Sequence, residues 1–129
     1  MAQPARLLHT QQIHYGRVGI VYGDNGVVKT IVKIPAGSLI LKALSGVHIT
    51  TVFNAGTNNY LDIGTGADDD LFGTDLSLTT ATFVPLDEAV GTFYCTSETT
   101  VTATLGLTGT AATTGAAEVF IAYIPDNDQ

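Results

Sequence analysis

Apolar and polar positions alternate with a period of two along much of this chain. The clearest run is Val101, Ala103, Leu105 and Leu107, interleaved with Thr102, Thr104 and Gly106. Successive side chains of a strand point to opposite faces, so this pattern predicts a strand over 99–107 with one buried face. Val18, Ile20 and Tyr22 predict another from Arg17 onward. It runs up to Gly23-Asp24-Asn25-Gly26, where Asn-Gly readily supplies a positive φ. Residues 27–34 are rich in β-branched side chains, and Lys29 and Lys33 stand an even number of positions apart. That spacing predicts a strand with one partly solvated face. Beyond Pro35-Ala36-Gly37, residues 38–44 and 47–53 read as strands around Ser45-Gly46. A short strand over 60–63 lies between the turn cluster 54–59 and the loop Gly64–Asp70. Strands over 90–96 and 117–124 complete the set, with a small-residue loop over 109–115. The segment 71–80 fits a short helix or an irregular crossing, with Thr74 or Asp75 as its cap.

About eight short strands at roughly 8–12-residue spacing, separated by turn signals, predict a single antiparallel β-sandwich. A jelly-roll-like order is the first choice of topology. Residues 1–16 have weak periodicity and a proline at position 4, and read as an extended N-terminal arm. The sandwich is expected over 17–124, and an acidic tail over 125–129 follows Pro125. No internal repeat or second-domain linker is apparent, and 129 residues suit one core better than two.

Composition sharpens this picture. The chain is 45% hydrophobic but only 13% charged, about half the usual charged share. A surface so poor in charge predicts cover by a copy of the chain or by a larger partner. All five basic residues, Arg6, Arg17, Lys29, Lys33 and Lys42, lie in the first 42 positions, opposed there only by Asp24. The remainder carries the other acids and no base. These two parts either pair within the fold or leave a basic lead-in to meet an acidic surface. A net charge of −7 repels phosphates and argues against nucleic-acid binding. No run of 18 apolar residues occurs, which argues against a membrane-spanning helix. Leu7-Leu8 is followed at once by His9, Thr10, Gln11 and Gln12, so no secretory core is expected and synthesis is expected in the cytoplasm.

Candidate chemistry is sparse. Cys95 is the single cysteine, so no intrachain disulfide can form, and its strand-like setting predicts a small buried hydrophobe. Gly64-Thr65-Gly66-Ala67-Asp68-Asp69-Asp70 places three carboxylates side by side, which a hard cation would relieve. The motif resembles a calcium-binding β-roll repeat, but those work in stacked copies, and an EF-hand loop fails because Phe72 takes a ligand position. A solvated acidic loop without metal is the expectation. His9 and His14, five apart, lack the spacing of a helical metal pair, and no Gly-x-Ser-x-Gly elbow exists. Asp87-Glu88 reads as a turn whose side chains point apart. The five tyrosines read as core or interface. No catalytic residue, cofactor or metal ligand is expected, and the chain is not expected to be an enzyme. The expected interface residues are Arg6, Leu7, Leu8 and Ile13 in the lead-in, with Arg17 beside them.

Four stretches carry a resemblance. They are Val32-Lys33-Ile34-Pro35-Ala36-Gly37-Ser38-Leu39-Ile40, then Val52-Phe53-Asn54-Ala55-Gly56-Thr57-Asn58-Asn59-Tyr60-Leu61-Asp62-Ile63-Gly64, then 99–105 and 110–119. Over roughly Lys29 to Ile124 the chain resembles the small β-sandwich decoration, or cement, proteins of tailed bacteriophage capsids. The resemblance implies a virion structural protein on the outer surface of the head, bound to the major capsid protein and bridging neighbouring capsomers. It also implies a homo-oligomer, dimer or trimer, and no catalytic residues. Two other classes stay open: another virion part such as a fibre tip or adaptor, and a carbohydrate-binding β-sandwich. The absence of tryptophan weighs against the carbohydrate reading.

Overall fold

A computed structural model describes residues 12–89 and 93–126. Its strands are β1 His14–Val21, β2 Val28–Ile34, β3 Ser38–Ile40, β4 Gly46–Thr51, β5 Asn58–Gly64, β6 Gly73–Ser77, β7 Phe83–Pro85, β8 Tyr94–Cys95, β9 Thr99–Thr108 and β10 Ala116–Ile124. Two short 3₁₀ turns, Tyr22–Asp24 and Lys42–Leu44, are the helical elements among the described residues. The larger sheet places β1 on one edge of β10. On the other edge of β10, β4 and β3 lie end to end, with β7 and β8 outside them. The smaller sheet runs β2-β9-β5-β6. Chain connections repeatedly cross between the sheets, which is the jelly-roll wrap expected above.

The alternation read over 99–107 is the core-facing row of β9: Val101, Ala103, Leu105 and Leu107 are all buried. They meet Ile34, Leu61 and Ile63 on their own sheet's inner side and Val47, Val119 and Ile121 of the other, all fully buried. Phe72 and Phe93 add an edge-to-face contact at 5.5 Å between centroids. Asn25-Gly26 makes the predicted turn, with Gly26 at φ +81 and Val27 N–H donating to the Asp24 carbonyl. Gly16 is required by a close approach: a Cβ there would lie 2.2 Å from Val32 Cβ, where β1 passes β2.

Several expectations need correction. The segment 71–80 contains a strand, β6, and no helix. Within it Thr74 and Asp75 together oppose Asp62, a bulge that adds one residue to the strand. Asp75 sits at φ +49 there, and its N–H donates to Asp62 Oδ1 at 2.7 Å. Lys29 and Lys33 do not share a face, because a second bulge between Thr30 and Val32 shifts the parity. Lys29 reaches across to Asp24 Oδ2 (2.9 Å) and the Gly19 carbonyl (3.2 Å), while Lys33 stays exposed. The strand expected over 90–96 is reduced to Tyr94–Cys95 among the described residues, and 90–92 lie outside them. At the N-terminus β1 already pairs from His14, opposite Tyr123, so 14–16 belong to the sheet rather than to a lead-in ending at 16.

The strand expected over 38–44 stops at Ile40, and the 3₁₀ turn Lys42–Leu44 separates β3 from β4. This interruption would orphan the backbone of Ala122 in the middle of β10. Ser45, fully buried, fills the gap: its Oγ accepts from Ala122 N–H at 2.8 Å and donates to the Leu41 carbonyl at 2.8 Å. Leu41 N–H donates to the Ala122 carbonyl, also at 2.8 Å. Ser38 is equally buried, but its Oγ has no hydrogen-bond partner. The two serines should therefore respond oppositely. Ser45→Ala strands a buried N–H and should cost ~1–3 kcal/mol, whereas Ser38→Ala should be neutral or slightly stabilising. Urea denaturation midpoints of the two variants check this, and equal losses would contradict it.

Candidate functional site

The two outer faces of the sandwich differ sharply. On the smaller sheet, β9 presents Thr100, Thr102, Thr104 and Thr108, and Thr30 of β2 pairs with Thr102. On the larger sheet, cross-strand pairing sets side chains in rows. Ile124 of β10 pairs with Leu39, and Leu39 with Tyr94. Ile13, one residue ahead of β1, continues the outward row of Tyr15 and Arg17 along that edge. The next rows carry Arg17 opposite Phe120, then Glu118 opposite His48 and His48 opposite Phe83. Tyr15 (57% exposed), Tyr94 (55%), Leu39 (44%) and Ile13 (44%) stand open to solvent on this face. These exposed aromatic and aliphatic side chains make the outer face of the larger sheet the candidate interaction surface.

Two of the expected interface residues, Ile13 and Arg17, are placed together on this face. Arg6, Leu7 and Leu8 lie outside the described residues. Arg17 already has partners within its own chain. Its Nε donates to Glu118 Oε1 at 2.9 Å and its guanidinium lies 5.2 Å over the Phe120 ring. The ion pair joins the basic and acidic parts of the chain, as one reading of the charge asymmetry expected. With the Arg17 side chain 64% exposed, the pair contributes ~0–1 kcal/mol. Reading the sequence alone missed Leu39, Phe83 and Phe120 as members of this surface and left Tyr94 as core or interface. They come from four strands, and only the pairing of β10 with its neighbours collects them.

The tyrosines are mostly surface residues, and Tyr60 lies on the opposite, threonine-rich face. His14 stacks on Tyr123 at 5.6 Å. Cys95 is buried, and that burial pushes its thiol pKa up, away from nucleophilic use. Asp87 and Glu88 do not point apart as expected, because both converge on Thr74. Asp87 Oδ1 accepts from Thr74 N–H at 2.9 Å, and Glu88 Oε2 accepts from the Thr74 hydroxyl.

The acidic loop folds back over the outer face of the smaller sheet. Gly64 makes this possible, since a Cβ there would lie 2.2 Å from the Asp68 carbonyl oxygen. Thr65 N–H donates to that same carbonyl at 2.8 Å. Carboxylate oxygens of Asp68, Asp69 and Asp70 lie within 4.8 Å of one another. Hydrogen bonding to Asp68, then desolvation and the charges of Asp68, Asp69 and Asp62, push Asp70 from 3.8 up to about 6. Burial likewise raises Asp62, whereas Asp24 is held low by the Val21 N–H and by Lys29.

The fold is similar to that of a chain in the Cyanophage Pam1 capsid asymmetric unit. The TM-score is 0.62 at 15% sequence identity, over 88% of this chain and 84% of that one. The two chains are therefore nearly equal in length, and the likeness is one of fold. No protein-family profile and no curated protein matches this chain.

Two outcomes follow from these environments. A carboxyl with a raised folded-state pKa binds its proton more tightly folded than unfolded, so its contribution falls as pH rises from ~4 through about 6. Asp70→Asn should raise the melting temperature at pH 7, and the gain should vanish towards pH 4. A gain of the same size at both pH values would contradict this. Cys95 in the native protein should resist an aromatic disulfide reagent and react at full stoichiometry only in denaturant, as absorbance of the released thiolate would report.

Proposed function

We propose that this chain is a structural protein of a phage virion, a decoration protein that binds the outer surface of the head and stabilises contacts between capsomers of the major capsid protein. The observation that supports it most is the match of a whole sandwich of nearly equal length to a chain of a phage capsid asymmetric unit. The open apolar face of the larger sheet adds to this, because a working assembly would cover it. The chemistry of the described residues favours binding over catalysis. The thiol is buried, and the carboxylates beside Thr74 are used as hydrogen-bond acceptors. On this reading the chain is not an enzyme and uses no cofactor or metal. A protein that binds the assembled shell, and not its separated subunits, stabilises the shell by mass action. Many identical contacts over a shell surface raise avidity without strong single contacts.

The lead-in is the segment proposed to dock on the shell, with Leu7 and Leu8 as apolar anchors and Arg6 facing a carboxylate. Because β1 pairs from His14 onward, the informative truncation removes 2–11 and keeps the strand. The truncated protein should keep its circular dichroism spectrum and melting temperature but co-sediment more weakly with purified capsid shells. Unchanged co-sedimentation would contradict the docking role, and unfolding would make the segment part of the sandwich.

A further inference from the structure

We propose that this chain binds a neutral saccharide in a cleft at the end of the sandwich opposite the lead-in. The direction in which that cleft points rests on the virion reading, whereas the cleft itself does not.

Three connections build it: the 3₁₀ turn Tyr22–Asp24, the loop between β4 and β5, and the loop between β9 and β10. They enclose about 400 Å³, with Tyr22, Asn25, Ala55, Leu107, Thr108 and Thr110 on the walls. That is a small ligand cleft, suited to a mono- or disaccharide. Hydrogen bonds fix its walls. Asn25 Nδ2 donates to the Leu107 carbonyl at 3.0 Å, and Asn25 Oδ1 accepts from Leu107 N–H at 2.9 Å. Gly56 N–H donates to the Thr110 carbonyl and Thr57 N–H to the Thr108 carbonyl, both at 2.9 Å. Gly109, at φ +88, makes the turn between those two acceptors. A cleft fixed before its ligand arrives loses little conformational entropy on binding.

Charge decides the class of ligand. Among the described residues, none on the cleft walls is charged. Asp24 and Lys29, the acid and base of the adjoining hairpin, pair with each other at 2.9 Å. A phosphate, carboxylate or ammonium group would lose its water there and gain no opposite charge. The walls offer an aromatic ring, methyl groups and hydroxyls instead. Tyr22 lines the cleft and is 43% exposed. A pyranose matches that set, because its C–H face packs on an aromatic ring while its hydroxyls exchange hydrogen bonds with threonine and main chain. The chain has no tryptophan, so Tyr22 supplies the ring. The eight residues of β1 separate the lead-in from Tyr22 by roughly 25 Å. With the lead-in on the shell, the cleft points away from it, towards any sugar-bearing surface the particle meets.

Amide NMR of the isotope-labelled intact chain tests this, by titration with the methyl glycosides of glucose, galactose and mannose and with N-acetylglucosamine. Glucuronate is the charged control. At least one neutral sugar should shift the amides of Tyr22, Leu107 and Thr110, with millimolar affinity. Tyr22→Ala should weaken that binding by roughly tenfold, and Tyr22→Phe by less than about threefold. A Cβ on Gly23 would meet open space, so Gly23→Leu should project into the cleft and abolish binding with an unchanged melting temperature. The inference is overturned by no shift with any neutral sugar at ~100 mM, by shifts confined to other residues, or by glucuronate binding as tightly. Tyr22→Ala or Gly23→Leu binding like the intact chain would overturn it too. Cleft signals that broaden with protein concentration alone would assign the cleft to a second copy and defeat sugar binding. Sugar binding by a chain that does not co-sediment with capsid shells upholds the cleft and defeats the decoration role. Co-sedimentation without sugar binding does the reverse.

Discussion

Every strand of the larger sheet depends on β10, and β10 depends on having both backbone edges satisfied. One edge is paired with β1 along eight consecutive residues, His14 to Val21. The other edge is shared by β4 and β3, which are separated by a 3₁₀ turn, so a regular ladder is impossible at Ala122. A buried, unpaired N–H there would cost a sizeable part of a small domain's stability. The Ser45 hydroxyl takes the place of the missing strand backbone. The same interruption is matched outside, where β7 pairs with β4 and β8 with β3 as separate short segments. The layout of this sheet, including which side chains share its outer face, follows from that one repaired break.

Much of this architecture was legible in the sequence, and the failures have a common cause. Strict alternation at 101–107 and the Asn25-Gly26 turn read through directly, because both signals are local. The missed elements involve one extra residue or a short break. A bulge at Thr74-Asp75 adds a residue to β6 and breaks its alternation, so 71–80 did not read as a strand. A bulge at Thr30–Val32 moved Lys29 off the face of Lys33. Single-sequence patterning assumes constant parity, and a bulge breaks parity at no cost visible in composition. Ser45 was read as a turn residue, which it is, but its hydrogen bond to Ala122, 77 positions away, is a property of the fold.

The candidate surface was legible only at one margin. Ile13 in the lead-in and Arg17 beside it were expected at an interface, and both lie on the open face of the larger sheet. Leu39, Phe83, Tyr94 and Phe120 carry no local mark that distinguishes them from core residues. They become a surface because β10 gathers their strands on one side of the sandwich. The low charge content predicted cover by a copy of the chain or by a larger partner, and the exposed aromatic and aliphatic side chains of the larger sheet are the candidates for such cover.

A reconstruction of the intact virion bearing this chain tests the proposed role most directly. The account predicts density for a two-layer β-sandwich on the outside of the head, seated over junctions between capsomers, with its chain entering the contact at the lead-in ahead of β1. Density for this sandwich at a tail fibre or adaptor, or a head whose outer surface lacks it, would contradict the account.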